Sequence, residues 1–147
     1  MHYERAQMTS DPDVAQAEFE RAAQLLELAT NLREPDAVLF HQLGQVHRHL
    51  GNLKDSRAWF EQAISLRDME FQPGAGADAR LHLAFALEDS GLLDEAMNFA
   101  RSAEEALEKM DDPDTALQMR IEQTLARLSL SVRAANASRK DSPGPHA

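Results

Sequence analysis

Apolar side chains recur at three- and four-residue steps along most of this chain, and the rhythm restarts at a fixed interval. Leu53, Phe60, Ala63, Ile64 and Arg67 fall on one side of a helix, as do Leu93, Ala96, Ala100, Ala103, Leu107 and Met110. The segment Leu43-Gly44, Leu50-Gly51, Ser56, Phe60, Ala63 is echoed by Leu83-Ala84, Ser90-Gly91, Ala96, Ala100, Ala103, each position 40 residues from its counterpart. The large Phe60 is replaced by Ala100, with Phe99 placed to supply bulk one position earlier. A weaker echo, Ala15, Phe19 and Ala22, lies 41 residues before Ser56, Phe60 and Ala63. A fixed period in this range, with small residues where helices must touch, predicts stacked helical hairpins.

The breaks between stripes predict six helices, over about 12–31, 35–50, 53–69, 77–90, 93–110 and 113–136. An acidic residue, proline and aspartate occur together at Asp11-Pro12-Asp13, Glu34-Pro35-Asp36 and Asp112-Pro113-Asp114. Proline suits a first helical position, where its missing N–H had no partner, and the carboxylates cap free amides and complement the positive helix end. Gly51 and Gly91 read as tight turns, so the helices they join must be antiparallel neighbours. Phe71-Gln72-Pro73-Gly74-Ala75-Gly76 reads as a longer linker between hairpins. The expected organisation is a flexible segment over 1–11, one helical-repeat domain over 12–138 and a disordered tail over 139–147.

Composition narrows the chemistry. The 147 residues have an ordinary hydrophobic share of 43%, enough for one domain with a real core. Without cysteine there is no disulfide, thiolate metal site or cysteine nucleophile, which fits a reducing compartment. No apolar run reaches the length of a membrane span and Met1 to Ser10 reads as polar chain, so a soluble cytoplasmic protein with no membrane partner is expected. The net charge of −10 is uneven: 7 basic and 10 acidic residues over 1–67, 3 and 13 over 68–114, 5 and 2 over 115–147. Acidity concentrated in one repeat argues against nucleic acid, whose phosphates need clustered Lys and Arg, and reads as a solvated face or a surface for a basic partner.

These residues resemble the tetratricopeptide repeat, with its Leu-Gly pair in a first helix, a small residue at the turn and spaced Ala, Phe and Ala in a second. Residues 37–70 match through Phe40, Leu43-Gly44, Gly51, Phe60 and Ala63, and residues 77–110 through Leu83-Ala84, Gly91, Ala96 and Ala103. The 40-residue spacing is longer than the usual ~34, as in the long-period variants of kinesin light chain and bacterial regulators. Asp68 and Glu108 stand where a closing proline is usual, His47 at a usual tyrosine and Ser56 at a usual alanine. The resemblance implies an all-α solenoid of antiparallel hairpins, two whole repeats with a half repeat at each end. End helices should act as caps, and apolar outer faces on them would allow a homodimer. Leu117, Ile121, Leu125 and Leu128 form the inward stripe of the last helix, with Leu130 and Val132 off it.

By position, the resemblance implies a concave groove for a protein or peptide. It would be lined by His41, Gln45, Arg48 and His49 from one helix, Asp78, His82, Phe85 and Asp89 from the next, and Arg120, Gln123 and Arg127 from the last. Spacings of three and four put each set on one helical face, and His, Gln and Arg around one Phe suit backbone hydrogen bonding plus an apolar anchor. The Lys and Asn carboxylate clamp of chaperone-binding members is absent, since His41, Gln45, His82 and Arg120 stand at or near those positions. His41, His49 and His82 are the candidate metal ligands, but no metal or other cofactor is expected: His41 and His49 lie two helical turns apart, ~12 Å along the axis, neither a His-Glu-x-x-His motif nor a calcium loop is present, and structural or hydrogen-bonding roles suit these histidines better. No spacing defines a catalytic set. The implied function is a non-enzymatic adaptor. The alternatives are a small acidic chaperone for a secreted or aggregation-prone substrate, a regulatory module acting through self-association, and an enzyme or metal protein.

Overall fold

A computed structural model describes residues 11–32 and 34–141, and among these six helices occur and no strand. In chain order they are α1 (Pro12–Leu32), α2 (Ala37–His49), α3 (Leu53–Met69), α4 (Pro73–Asp89), α5 (Leu93–Glu108) and α6 (Thr115–Asp141). Residues 1–10 and 142–147, which cover most of the expected terminal segments, lie outside the described residues. The expected tail positions 139–141 are helical, extending α6 past the predicted 136.

The acidic–proline–acidic triplets do start helices, but in two ways. Asp11 accepts the amides of Asp13 and Val14 at 2.9 and 3.3 Å, which puts Pro12 at the first helical position. At α2 and α6 the cap is the aspartate after the proline: Asp36 accepts Val38 N–H at 2.9 Å, and Asp114 accepts Ala116 and Leu117 N–H at 2.9 and 3.3 Å. Those helices begin two residues later than predicted, because their prolines precede the cap instead of following it.

The predicted linker is largely helix. Pro73 is the first residue of α4, so only Glu70, Phe71 and Gln72 separate it from α3. Gly74 and Gly76 belong to its first turn. A Cβ on Gly76 would lie 3.1 Å from both the Arg80 guanidinium and the Asp68 carboxylate, and one on Gly74 3.5 Å from Met110 Sδ. Gly76 admits the Asp68 and Arg80 side chains to the helix, Gly74 leaves ordinary contact with Met110, and neither breaks the helix.

Three helices end in the same hydrogen-bonded stop. Gly51 N–H donates to Arg48 C=O and Asn52 N–H to His47 C=O; Gly91 and Leu92 repeat this with Glu88 and Leu87, and Phe71 and Gln72 with Asp68 and Arg67. The residue after the cap takes a left-handed conformation in each, φ 77° at both glycines and 56° at Phe71. That backbone suits glycine and strains a bulky side chain. Phe71 is also 90% exposed, so no packing compensates for it.

Consecutive helices pack as antiparallel neighbours, and in addition α2 touches α4 and α4 touches α6. Helix α4 sits at the centre, with Gly76, Ala77, Ala79, Leu81, Leu83, Ala84, Ala86 and Leu87 buried all around it. One core joins Phe60 and Ile64 of α3 with Leu83, Leu87, Ala96, Ala100 and Leu128; a second joins Leu81, Leu107, Leu117 and Ile121. A smaller cluster of Phe19, Ala22, Ala23 and Val46 fastens α1 to α2. In α6, Val132 also packs against the first core, whereas Leu130 is exposed. On α1 the row Leu25, Leu28 and Leu32 is exposed.

Candidate functional site

The helices in serial contact, α2, α4 and α6, carry all eleven predicted groove residues. Helical spacing explains the grouping: His41, Gln45 and Arg48 share one face of α2, and Asp78, His82, Phe85 and Asp89 one face of α4.

Phe85 is half-buried, with the guanidinium carbons of Arg48 and Arg127 at 5.4 and 5.9 Å from its ring centre. Each arginine is also held by a bidentate ion pair, Arg48 by Asp89 at 2.5 and 3.2 Å and Arg127 by Glu88 at 2.9 and 2.7 Å. The paired geometry fixes the planar guanidinium groups beside the ring, where the quadrupole attracts them. Bonds to Glu88 raise the Arg127 pKa further above its ordinary value. Glu88 was not among the expected residues, although it lies three positions after Phe85 on the same face.

One turn toward the start of α4 the character changes. His41 meets His82 edge-on, with ring centres 4.7 Å apart, and His82 meets Phe85 at 5.5 Å. Phe60, fully buried, lies 5.3 Å from His41 and 6.4 Å from His82, so this cluster rests directly on the core. Burial, then the neighbouring His82, pushes the His41 pKa down to about 4; Asp78 opposes this and Arg67 adds to it. His41 is therefore neutral at neutral pH. The His82 Nδ1–H donates to the Asp78 main-chain carbonyl at 2.8 Å, and Arg120 lies 3.9 Å from the Asp78 carboxylate.

Of the remaining residues, His49 has its pKa lowered by burial and by Arg48, with Asp89 opposing. His49 stacks on Phe19 of α1, with centroids 4.7 Å apart and planes within 10°. Gln45 is half-buried on α2, and Gln123 is exposed on α6. The histidine that faces His41 is thus His82 and not His49, a pairing that spacing within one helix cannot reveal.

A family model described as tetratricopeptide repeat matches residues 35–109, just over half the chain. The protein belongs to the tetratricopeptide repeat family, whose members are generally protein-interaction modules and typically not enzymes. No curated protein sequence matches the chain at a significant level. Among the described residues, no helix is long and apolar enough to cross a membrane.

Proposed function

We propose that this protein is a cytoplasmic adaptor that binds an extended peptide or partner helix along the face formed by α2, α4 and α6. The observation that carries the reading is Phe85, a half-exposed aromatic ring flanked by two ion-paired arginines on that face. Aromatic and arginine side chains make strong anchors where their own rotamers are already fixed, because little conformational entropy is lost on binding. His41, Gln45, His82, Arg120 and Gln123 would supply hydrogen bonds on either side of this anchor. Most of the arginine charge is already paired, so the face favours an apolar residue flanked by polar backbone over a strongly charged ligand.

Peptides selected from a displayed library on the full-length chain provide the test, with affinities measured by fluorescence anisotropy. Phe85→Ala and Arg48→Ala should each weaken a selected peptide about tenfold or more, with helical content unchanged. Peptides whose binding ignores both substitutions, together with Gln45→Ala and His82→Ala, would remove this face from the account.

A further inference from the structure

The geometry points to a transition-metal site of the zinc class at His41, Asp78 and His82, a site that lies on the proposed docking face but does not depend on peptide binding there. One donor atom from each of the three residues lies within 4.8 Å of the others. Two of them, Asp78 and His82, stand at i and i+4 on α4, a spacing that aims both side chains at one point; the third reaches across from α2. Donors around a tetrahedral zinc ion are ~3.3 Å apart, so side-chain shifts of ~1 Å close the set.

A second observation is independent of the spacing. Asp78 Oδ1 is shielded from solvent and accepts no hydrogen bond. Its nearest basic neighbours, the His82 ring at 3.4 Å through Nδ1 and the Arg120 guanidinium at 3.9 Å, leave it without a donor, and that His82 nitrogen is already committed to the main-chain carbonyl. A sheltered carboxylate oxygen without a donor is costly, and a bound cation is one arrangement that satisfies it.

The protonation states suit coordination as well. The hydrogen bond from His82 Nδ1–H to the Asp78 carbonyl selects the tautomer whose Nε2 carries the lone pair, the usual way an outer partner prepares a histidine ligand. His41 is neutral near pH 7, so no proton competes for its lone pair. Two imidazoles and one carboxylate favour zinc, cobalt or nickel over magnesium or calcium. All three residues are half-buried, so the cluster lies near the surface, within reach of an ion from solvent.

Titration of the metal-free full-length chain with Zn²⁺ by calorimetry, and with Co²⁺ by visible absorption, tests the site. One equivalent of metal should bind, with the intense cobalt band of a four-coordinate ion. His41→Gln, Asp78→Asn and His82→Gln should each weaken binding at least about tenfold, whereas His49→Gln should leave it unchanged. Arg120→Gln removes a competing cation and should tighten binding about threefold. A ligand variant that unfolds would lose metal trivially, so the unmodified chain supplies a second readout. Its His41 and His82 ring-proton resonances should shift and broaden with Co²⁺ before those of the other histidines. No binding at millimolar Zn²⁺, binding that survives loss of His41 and His82, or paramagnetic effects centred on another histidine would each overturn the proposal.

Discussion

The two complete hairpins, α2–α3 and α4–α5, share one plan but fill their interiors with different partners. In the first, Gly44 faces Phe60: a Cβ on Gly44 would fall 2.7 Å from the ring. In the second, the positions 40 residues on are Ala84 and Ala100, both fully buried. A large ring against no side chain and two methyl groups are alternative ways to set a close helix approach. The difference reaches the surface, because the Phe60 ring is what His41 and His82 rest on. At the counterpart of His41 the second hairpin has Leu81, wholly buried between α4, α5 and α6. One repeat is thus polar and half-buried where its neighbour is apolar and sealed, His41 standing where Leu81 stands.

Exchanging the paired residues should produce the largest effect. Phe60→Ala should destabilise by about 3–5 kcal/mol, and Gly44→Ala by about 1–3 kcal/mol through overpacking. The double variant, which imitates the Ala84–Ala100 pair, should cost less than the sum by about 1 kcal/mol or more, since each change relieves the other. Urea denaturation of the four proteins gives the coupling; strict additivity would show that the two positions do not set the helix approach together.

Acid should weaken the first hairpin through His41. Its pKa is about 4 in the fold against 6.5 ordinarily, so between those values the unfolded chain binds more protons. Stability from this group is complete above pH 6.5 and is lost as pH falls toward 4, by on the order of 2–3 kcal/mol. His41→Leu, which installs the second hairpin's residue, should flatten that part of a stability–pH curve; an equally steep curve in the variant would assign the acid sensitivity to other groups.

The helix stops allow a smaller exchange. Gly91→Ala should cost about 1–2 kcal/mol by forcing a side chain into the left-handed region. Phe71→Gly should stabilise by up to about 1 kcal/mol, because Phe71 holds the same conformation without packing. Thermal melts suffice, and a destabilised Phe71→Gly would show that the exposed ring has a structural partner.

The smallest change concerns Ser56, whose hydroxyl donates to the Gly44 carbonyl at 2.7 Å, while Ala96 stands at its counterpart. Ser56→Ala should cost about 0.5–1 kcal/mol. A loss as large as that of Phe60→Ala would make this hydrogen bond, and not the ring, the main tie between α2 and α3.

The hairpin order was legible because a 40-residue echo of small and apolar residues survives several side-chain exchanges. The turns at Gly51 and Gly91 were legible because only glycine takes that backbone without strain. The expected linker is helix from Pro73 because glycine has two uses, chain reversal and close approach, and at Gly76 only the neighbours Asp68 and Arg80 show which applies. The residues expected to line a groove could be placed on shared helix faces, but their partners across helices could not. Arg48 to Asp89, Arg127 to Glu88 and His41 to His82 are 41, 39 and 41 residues apart.

By itself, then, the sequence determined the all-helical repeat, its period and the faces each helix presents, because these follow from local spacing and from backbone preferences of single residues. Tertiary structure alone decided which charges pair across α2, α4 and α6, and which histidine meets Asp78. Those contacts depend on how two helices are rotated and offset against each other, and that is set by the packing of Phe60, Ala84 and Ala100 in the core.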